Sequence, residues 1–359
     1  MQEHTINGNK HTVGFVGGKF LPLHLGHVYL VTTAASYVDE LYVILSSYEI
    51  GDRRLCERDG IRYMPPEVRL SWLGQEFHDI ENIKILHSKD DRWGDDYDWA
   101  EGSEEIKKMI GKPIDYIFTS EHSYDKYFKK SYPQARHIVL DSDREAFKVS
   151  GTQVRQDLYK YWDMLPDCVR SYFTKKVAVI GTESCGKSTL AKKLAKIYNA
   201  SYIQEVGREY CERYSDRLTP GLFDVIAMEH YLLQDKKLRR GDKIIFVDSE
   251  ATITQYYLDM YFNETRSPFI DALVKLQDYD LVIYLEPDVK WVDDGFRFAG
   301  ADEVRMKNNA KLKKMFEERN IPFVSISGTY AQRFSKARSL VDKLFESKIV
   351  PLKVDAVIR

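Results

Sequence analysis

Two segments of this 359-residue chain combine residue types and spacings that suit phosphate chemistry. Residues 18–27 read GKFLPLHLGH, and residues 181–188 read GTESCGKS. Backbone N–H groups beside glycines, together with imidazole, ammonium and hydroxyl groups, are the donors that bind phosphate oxygens. The first pattern is typical of attack on the α-phosphate of a nucleoside triphosphate, and the second of binding its β- and γ-phosphates. Together they predict a two-step enzyme that phosphorylates a compound and then joins a nucleotide to it.

The first segment follows a predicted strand at residues 13–17 and opens a predicted helix. Unpaired N–H groups and the helix dipole favour an anion at such a position. His24 and His27 can converge on one phosphate group and donate hydrogen bonds to the charge that grows as pyrophosphate leaves. Gly17 and Gly18 let the backbone approach the nucleotide. The alternative is that the two histidines only cap a helix.

A second element supports a triphosphate site in this half. Residues 150–155 read SGTQVR and are predicted to open another helix. Ser150, Thr152 and Arg155 would then meet triphosphate oxygens. Alone, this pattern is more often a helix cap. In its order after the histidine segment, it resembles the second signature of the nucleotidylyltransferase superfamily.

A loop at residues 90–99, DDRWGDDYDW, is dense in acids and aromatics. Nicotinamide-specific members of that superfamily stack an aromatic ring on the pyridinium, which is a cation–π arrangement. Trp99 is our first choice for this contact and Trp93 the second. The alternative is that both rings only anchor the loop.

The second segment fits the P-loop pattern and lies between a predicted strand and a predicted helix, which is the context that the motif requires. Lys187 is expected to reach the β- and γ-phosphate oxygens, and the Ser188 hydroxyl to bind Mg²⁺. An apolar run at 244–248 ends in Asp248, which predicts an acid that holds the magnesium shell or the acceptor. An aspartate that closes a strand is also a common turn residue.

Three further features could contact the acceptor or the transferring phosphoryl group. Glu205 follows a strand-like run and could bind the acceptor's hydroxyls, whereas Arg208 and its neighbour Glu209 could instead form an ordinary surface pair. Residues 293–298, DDGFRF, have the composition of a mobile lid whose Arg297 would stabilise the phosphoryl charge. The alternative for the lid is a solvated loop.

Apolar periodicity predicts an α/β fold with two parallel-sheet domains. The resemblance of the motifs implies an N-terminal Rossmann-like nucleotidylyltransferase domain and a C-terminal P-loop kinase domain. We place the domains at residues 1–170 and 171–359. Strands are predicted at 13–17, 41–46, 83–87, 114–119 and 136–140 in the first domain, and at 176–181, 243–248, 281–285 and 322–326 in the second. Helices are predicted from Gly26, from Gly186, at 303–319 and at 330–346.

Composition limits the possible partners and compartments. The formal net charge of −2 argues against a nonspecific nucleic-acid surface, and no stretch of 18 apolar residues predicts a membrane span. Four cysteines without a C-x-x-C pair indicate a reducing compartment. With no recognisable signal peptide, we expect a cytoplasmic protein. An oligomer is possible, since the sequence does not determine the assembly state.

In the order of its motifs the chain resembles the NadR-type bifunctional proteins, in which a nicotinamide-nucleotide adenylyltransferase precedes a ribosylnicotinamide kinase. The resemblance covers essentially the whole chain and implies that ATP, with Mg²⁺, phosphorylates nicotinamide riboside. The resulting nicotinamide mononucleotide would then take the adenylyl group of a second ATP to give NAD. Enteric members also carry an N-terminal helix-turn-helix domain. Because the first catalytic strand is predicted by Val13, we expect no such repressor module here.

The interpretation yields four overlapping sets of candidate residues. The ATP ligands are Gly17, Gly18, Phe20, Ser150, Thr152, Arg155, Gly181, Thr182, Glu183, Ser184, Cys185, Gly186, Lys187, Ser188 and Thr189. The substrate contacts are Lys19, Trp93, Trp99, Glu205, Arg208 and Asp248, and the metal ligands are Ser188 and Asp248. The catalytic residues are His24, His27, Lys187, Asp248, Glu205 and Arg297.

Two other functions remain compatible with these motifs. One is a kinase joined to an adenylyltransferase for another small alcohol, such as a pantetheine derivative, although the tryptophan-bearing acidic loop favours a cationic pyridinium. The other is a nucleotide-sensing regulator that binds ATP or NAD without turnover. The intact Lys187, His24 and His27 argue against that reading.

Overall fold

The computed structural model describes residues 5–6, 9–89, 99–214, 217–263, 265–288 and 302–346. The chain forms two compact units that meet in sequence between Arg170 and Ser171. The N-terminal unit ends at Arg170, and the C-terminal unit begins at Ser171. Within these ranges, no helix is both long and apolar enough to cross a membrane.

The N-terminal unit opens with a short antiparallel pair, β1 (Thr5–Ile6) and β2 (Asn9–Lys10), and continues as an alternation of strands and helices. Its remaining strands are β3 (Val13–Gly18), β4 (Glu40–Ser47), β5 (Ile83–Lys89), β6 (Tyr116–Thr119) and β7 (Arg136–Val139). Its helices are α1 (Leu25–Ala35), α2 (Glu49–Asp59), α3 (Pro66–Phe77), α4 (Trp99–Ile110), α5 (Asp125–Ser131), α6 (Gly151–Gln156) and α7 (Asp167–Phe173), the last of which crosses into the second unit.

Strands β3 to β7 form a parallel sheet in the order β5-β4-β3-β6-β7. In register, Val13 of β3 lies opposite Glu40 of β4, and Gly14 lies opposite Tyr116 of β6. The chain winds outward from β3 to β5 and then returns to β6 on the other side of β3. The carboxyl end of β3 is therefore the topological switch point, where open α/β sheets bind ligands.

The C-terminal unit repeats this architecture with a different strand order. Its strands are β8 (Lys175–Ile180), β9 (Ser201–Ile203), β10 (Ile244–Asp248), β11 (Leu281–Leu285) and β12 (Val324–Ile326), arranged as the parallel sheet β12-β11-β8-β10-β9. Its helices are α8 (Lys187–Ile197), α9 (Gly207–Tyr214), α10 (Pro220–Leu238), α11 (Ala251–Tyr261), α12 (Pro268–Leu276), α13 (Asp302–Glu318) and α14 (Tyr330–Glu346).

The central strand β8 shows why the strands of this sheet have continuously apolar sequences. Val177 and Val179 pack into one core with α8 and α14, whereas Ala178 and Ile180 pack into another with α11 and α13. Alternate side chains point to opposite faces of a strand, so a strand covered on both faces needs apolar residues at every position.

The predicted fold class is confirmed at the level of two parallel-sheet α/β units. The observed strands and helices begin and end within two residues of the predicted bounds wherever both bounds were given. The predicted strands do not include β9, although the run before Glu205 was described as strand-like, because three residues are too short to show periodicity.

Candidate functional sites

In the N-terminal unit, the glycine-rich and histidine-bearing loop after β3 borders a cleft of about 240 Å³, here called the N-terminal cleft. It lies at the carboxyl ends of β3, β6 and β7, as expected for a topological switch point. The lining includes Lys19, Phe20, His24, Gly26, His27, Ser120, Glu121, Asp141, Arg144, Ser150, Gly151, Thr152 and Arg155. The structure therefore brings together the two segments that the sequence predicted to share one site.

His24 is the N-cap residue of α1, and His27 lies in the first turn of that helix. Their rings stack, with centroids 3.7 Å apart and planes inclined by 21°. Phe20 contacts the His27 ring edge-on at 5.0 Å. The Nδ1 atoms of both histidines are buried and have no hydrogen-bond partner in the described part of the chain.

Both imidazoles are neutral near pH 7. Burial, then the proximity of His27 and the positive charge of Arg144, lowers the pKa of His24 far below its usual value. Burial and Arg144 lower the pKa of His27 to about 3. A neutral imidazole carries one N–H, so each ring can donate one hydrogen bond to a phosphate oxygen.

Gly26 explains how the His24 ring fits over the start of α1. A Cβ atom at this position would lie 3.1 Å from His24 Nδ1 and 3.2 Å from its Cε1. Those distances are tighter than ordinary van der Waals contact, so a side chain here would displace the imidazole. The glycine of the H-x-G-H pattern therefore leaves space for the His24 imidazole as well as for the backbone.

Arg155 lies in the N-terminal cleft, but its guanidinium is used within the protein. Nε donates to Asp59 Oδ2 at 2.7 Å, Nη1 donates to the Leu21 carbonyl at 2.9 Å, and Nη2 donates to Thr152 Oγ1 at 3.1 Å. The Ser150 hydroxyl is the N-cap of α6 and accepts from the Gln153 N–H at 3.2 Å. These contacts fix the loop that carries the histidines, and the role of Arg155 in ATP binding stays a prediction.

Arg144 is the cleft cation that sequence reasoning missed. Its backbone has a φ of 55°, and Nη1 donates to the Val149 carbonyl at 3.3 Å. The side chain is 37% exposed and lies 3.5 Å from Glu121. Its charge acts on both histidines. No motif surrounds it, so only the fold places it in the site.

Lys19 borders the same cleft and anchors a buried charge cluster. Its Nζ donates to Asp52 Oδ1 at 2.8 Å, while the fully buried Arg69 donates from Nη2 to Asp52 Oδ2 at 2.8 Å. Arg69 Nη1 also donates to the Lys19 carbonyl at 2.8 Å. Asp52 and Arg69 therefore fix the loop after β3 through their hydrogen bonds to Lys19. About half of the Lys19 side chain remains exposed.

Trp99 is the first residue of α4, and its ring stacks on that of Tyr127 with centroids 4.5 Å apart and planes inclined by 12°. Phe128 contacts it edge-on at 6.1 Å. One face of the indole is thus already covered by protein. Stacking of Trp99 on a pyridinium stays a prediction, and Trp93 lies outside the described residues.

In the C-terminal unit, the loop after β8 borders a cleft of about 730 Å³, here called the C-terminal cleft. Its lining combines the P-loop with residues after β9 and β10 and with helices α9, α10 and α11. Among the lining residues are Glu183, Ser184, Gly186, Lys187, Ser188, Thr189, Tyr202, Glu205, Arg208, Phe223, Ile226, His230, Asp248, Tyr257 and Tyr261. Thus the predicted kinase residues Lys187, Ser188, Glu205, Arg208 and Asp248 all face one cavity.

The loop at residues 181–188 has the backbone that its glycines permit. Gly181 and Gly186 have φ values of 144° and 91°, and Ser184 has 58°. A Cβ at Gly181 would lie 2.7 Å from the Leu285 carbonyl oxygen. Lys187 Nζ and the buried Cys185 thiol both donate to the Thr182 carbonyl, each at 3.0 Å. The loop is therefore closed on itself around the lysine ammonium.

Arg333 of α14 holds this loop from behind, which the sequence did not predict. It is 2% exposed, and Nη1 donates to the Cys185 carbonyl at 2.7 Å. Nε donates to the Gly328 carbonyl and Nη2 to that of Glu286, each at 2.8 Å, and Nη2 also pairs with Asp288. One guanidinium thus ties the P-loop to the segments after β11 and β12.

Asp248 ends β10 and is 1% exposed. Its Oδ2 accepts from the Tyr202 hydroxyl at 2.9 Å, whereas its Oδ1 is buried and has no partner in the ranges that the structure covers. Burial and the charge of Asp248 raise the pKa of Tyr202, so the phenol stays a donor. A buried carboxylate oxygen left unpaired points to an absent partner.

The charges of Glu205 and Lys187 affect each other's pKa. Burial raises the pKa of Glu205, and the nearby Lys187 only partly offsets that effect. Burial alone would lower the pKa of Lys187, but attraction to Cys185, Glu205 and Asp248 raises it. The lysine is therefore charged, while the proton affinity of the Glu205 carboxylate is increased.

Arg297 and the rest of the predicted lid lie outside the described residues. Arg305, on the helix that follows, is 7% exposed. Lys313 of the same helix pairs with Glu286 at 2.6 Å. The predicted lid function of Arg297 stays a prediction.

The fold and the two sites define a two-domain, parallel-sheet α/β protein with a glycine-rich loop at the start of a helix in each unit. Residues 176–333 match the family model described as an AAA domain. The chain is 35% identical over 353 residues to the trifunctional NAD biosynthesis/regulator protein NadR of Escherichia coli K12, covering 93% of this chain and 84% of that protein. The NadR of Salmonella typhimurium LT2 is 33% identical, with 92% and 83% covered.

Solved structures agree with these relatives. A crystal structure of a NadR protein in complex with NR matches with a TM-score of 0.77 and 25% identity, covering 96% of this chain and 99% of that one. A NadR protein in complex with NAD and AMP-PNP matches with a TM-score of 0.75 and 23% identity over 97% and 99%. The chain belongs to the NadR family of NAD biosynthesis proteins, and the resemblance drawn from its motifs is confirmed.

Proposed function

We propose that the C-terminal unit is a P-loop ribosylnicotinamide kinase and that the N-terminal unit is a Rossmann-like nicotinamide mononucleotide adenylyltransferase. The first would transfer the γ-phosphoryl group of ATP to the 5′-hydroxyl of nicotinamide riboside. The second would join the mononucleotide to the adenylyl group of another ATP, giving NAD and pyrophosphate. The carrying observation is that each central strand, β3 and β8, leads into its own loop and cleft in a chain of the NadR family.

The relatives favour NAD chemistry over the pantetheine alternative. The Escherichia coli relative is named for NAD biosynthesis, and one NadR structure was solved with NR. The proposal assigns that ligand class to this chain.

In the kinase, the protein mainly positions reactants and neutralises charge. Lys187 would hold the β- and γ-phosphate oxygens, because its ammonium already lies inside the loop that receives them. Glu205 suits the proton acceptor for the 5′-hydroxyl, because its raised pKa improves the match to neutral pH. The hydroxyl oxygen then bonds to the γ-phosphorus as the bond to ADP breaks.

The residues around Asp248 fit a magnesium ion. Its unpaired buried Oδ1 and the Ser188 hydroxyl supply hard oxygen ligands, and Mg²⁺ commonly uses one or two such side chains with phosphate oxygens and water. When bound, the ion would neutralise phosphate charge. The protein's own part is to orient Asp248, which Tyr202 does through its hydrogen bond to Oδ2.

In the adenylyltransferase, a mononucleotide phosphate oxygen would attack the α-phosphorus as the bond to pyrophosphate breaks. His24 and His27 would each donate one N–H to the developing charge, and Arg144 would supply a positive charge beside them. Ser150 and Thr152 line the same cleft and remain proposed ligands of the triphosphate. No covalent enzyme intermediate is required.

One experiment tests both reactions. Purified protein receives nicotinamide riboside, ATP and MgCl₂, and chromatography follows the mononucleotide and NAD. Lys187→Ala should slow mononucleotide formation about 10²–10³-fold while still making NAD from supplied mononucleotide. His27→Ala should impair NAD formation while mononucleotide is still made. Pantetheine offered to the same preparation is the comparison substrate. Turnover of pantetheine with none of nicotinamide riboside would refute the proposal.

A further inference from the structure

His230 of α10 is a buried polar residue of the C-terminal cleft that the proposed reaction does not yet use. It is 4% exposed and lines the cavity. Its Nε2 is buried without a hydrogen-bond partner among the described residues. A buried donor or acceptor without a partner costs free energy, so a residue that lines a cavity and carries such an atom is suited to bind a ligand.

Two residues behind His230 determine which ring nitrogen carries the proton. The Tyr279 hydroxyl donates to Gln234 Oε1 at 2.9 Å, which turns the Gln234 amide nitrogen toward His230 Nδ1 at 3.4 Å. Nδ1 is then an acceptor, so the proton of the neutral ring resides on Nε2. His230 therefore offers the cavity a single N–H donor.

His230 is also uncharged at neutral pH. Burial lowers its pKa to about 4, and burial is the only cause of that shift. Lys187, Glu205 and Asp248 act on one another's environments, yet none of them contributes at His230. His230 lies on α10, whereas Lys187 follows β8, Glu205 follows β9 and Asp248 ends β10, so the imidazole lines the cavity from a different element than these groups.

The surroundings of His230 suit a flat aromatic ring. Phe223 and Ile226 line the cavity from the same face of α10, and Tyr257 and Tyr261 line it from α11. The rings of Phe223 and Tyr261 lie 5.9 Å apart. Aromatic faces attract a cationic ring, and a neutral imidazole, unlike an imidazolium, does not repel one.

We propose that His230 is a specificity-determining residue of the kinase, whose Nε2–H donates a hydrogen bond to the carboxamide oxygen of the nicotinamide ring. This inference rests on the proposed kinase function. If the 5′-hydroxyl lies beside Lys187 and Glu205, the pyridine end of the riboside extends toward α10 and α11. There, an oxygen acceptor on the ring would satisfy the one donor that His230 presents.

The test compares two phosphate acceptors that differ only in the carboxamide: nicotinamide riboside and pyridine riboside. His230→Leu should raise the KM for nicotinamide riboside about tenfold, leave the KM for ATP unchanged and leave turnover of pyridine riboside unaffected. His230→Gln, which keeps an N–H donor, should recover part of the loss. Tyr279→Phe, which frees the Gln234 amide, should give a smaller loss for nicotinamide riboside alone.

A matched control variant and the wild type distinguish failure of the His230 inference from failure of the kinase assignment. Ile226→Ala enlarges the cavity without removing a donor, so it should weaken both ribosides equally. Equal losses for both ribosides in His230→Leu, or no loss, would overturn the inference while the kinase assignment stands. A wild-type protein that phosphorylates neither riboside would overturn both. Thermal melting of each variant identifies misfolding, and the Gln and Phe variants then carry the test.

Discussion

The imidazole of His24 stacks on that of His27 with a centroid distance of 3.7 Å. Two imidazolium ions at this distance would repel each other, so at most one of the stacked rings can be charged. Burial and the nearby Arg144 provide that condition, since they lower the pKa of His27 to about 3. The pair therefore acts through N–H donation, and the positive charge that acts on both rings comes from Arg144.

The lowered pKa of His27 predicts that the stability of the protein depends on pH. An unfolded histidine titrates near pH 6.5, whereas folded His27 titrates near 3. Between these values the unfolded chain binds the extra proton, so the free energy of unfolding falls as the pH drops below about 6.5. His27→Gln should lessen the fall in melting temperature between about pH 7 and pH 5. His122→Gln, on an exposed residue, should behave like the wild type; identical slopes in all three proteins would contradict the explanation.

Substitution of the two arginines of the N-terminal cleft, Arg144 and Arg155, should have different effects on ATP binding and on stability. Arg144→Ala removes a cation from the site, so it should raise the KM for ATP in adenylyl transfer about tenfold with little change in melting temperature. Arg155→Ala removes the 2.7 Å ion pair to Asp59 and the donor to the Leu21 carbonyl, while Arg58 still pairs with Asp59, so it should destabilise the fold by about 2 kcal/mol. Steady-state kinetics on supplied mononucleotide and thermal melting distinguish them. A stable Arg155→Ala with a raised KM would restore the original assignment of that residue to ATP.

Parts of both sites could be predicted from sequence because their determinants are local. The sequences at 18–27 and 181–188 each contain a complete strand–loop–helix junction, and a strand buried on both faces appears as an unbroken apolar run. Thus the strands other than β1, β2 and β9 and the loops that follow β3 and β8 were predicted correctly. The role of Asp248 stays a prediction. Local sequence patterns alone do not assign chemical roles to individual side chains.

The parts that sequence could not provide depend on distant contacts. Arg333 reaches the Cys185 carbonyl across 148 positions of sequence, and Arg155 reaches Asp59 across 96. An arginine in a motif or on a helix looks the same in sequence whether it binds a ligand or a carbonyl group of its own chain. Only the fold shows that Arg155 is engaged within the protein and that Arg144 faces the cleft.

Lys187 should be needed for one reaction only. Lys187→Ala removes the ammonium inside the P-loop, so kinase turnover should fall about 10²–10³-fold, the cost of losing a donor to transition-state charge. Adenylyl transfer to supplied mononucleotide should be unchanged because the N-terminal cleft has its own ligands. Lys193→Ala, an exposed residue of the same helix, is the matched control. Loss of both reactions in Lys187→Ala would show that the two sites are not independent.

Arg333 should support the kinase without contacting its substrates. Arg333→Lys retains the charge but lacks the planar group that donates to the Cys185, Gly328 and Glu286 carbonyls together. We expect destabilisation by about 3 kcal/mol, because buried carbonyl groups lose their donors, and a raised KM for ATP in the kinase reaction alone. Arg338→Lys, on the exposed face of α14, should change neither quantity. Melting temperatures and kinase kinetics at saturating nicotinamide riboside provide the measurement; a stable Arg333→Lys with normal ATP affinity would show that the P-loop holds its shape without this contact.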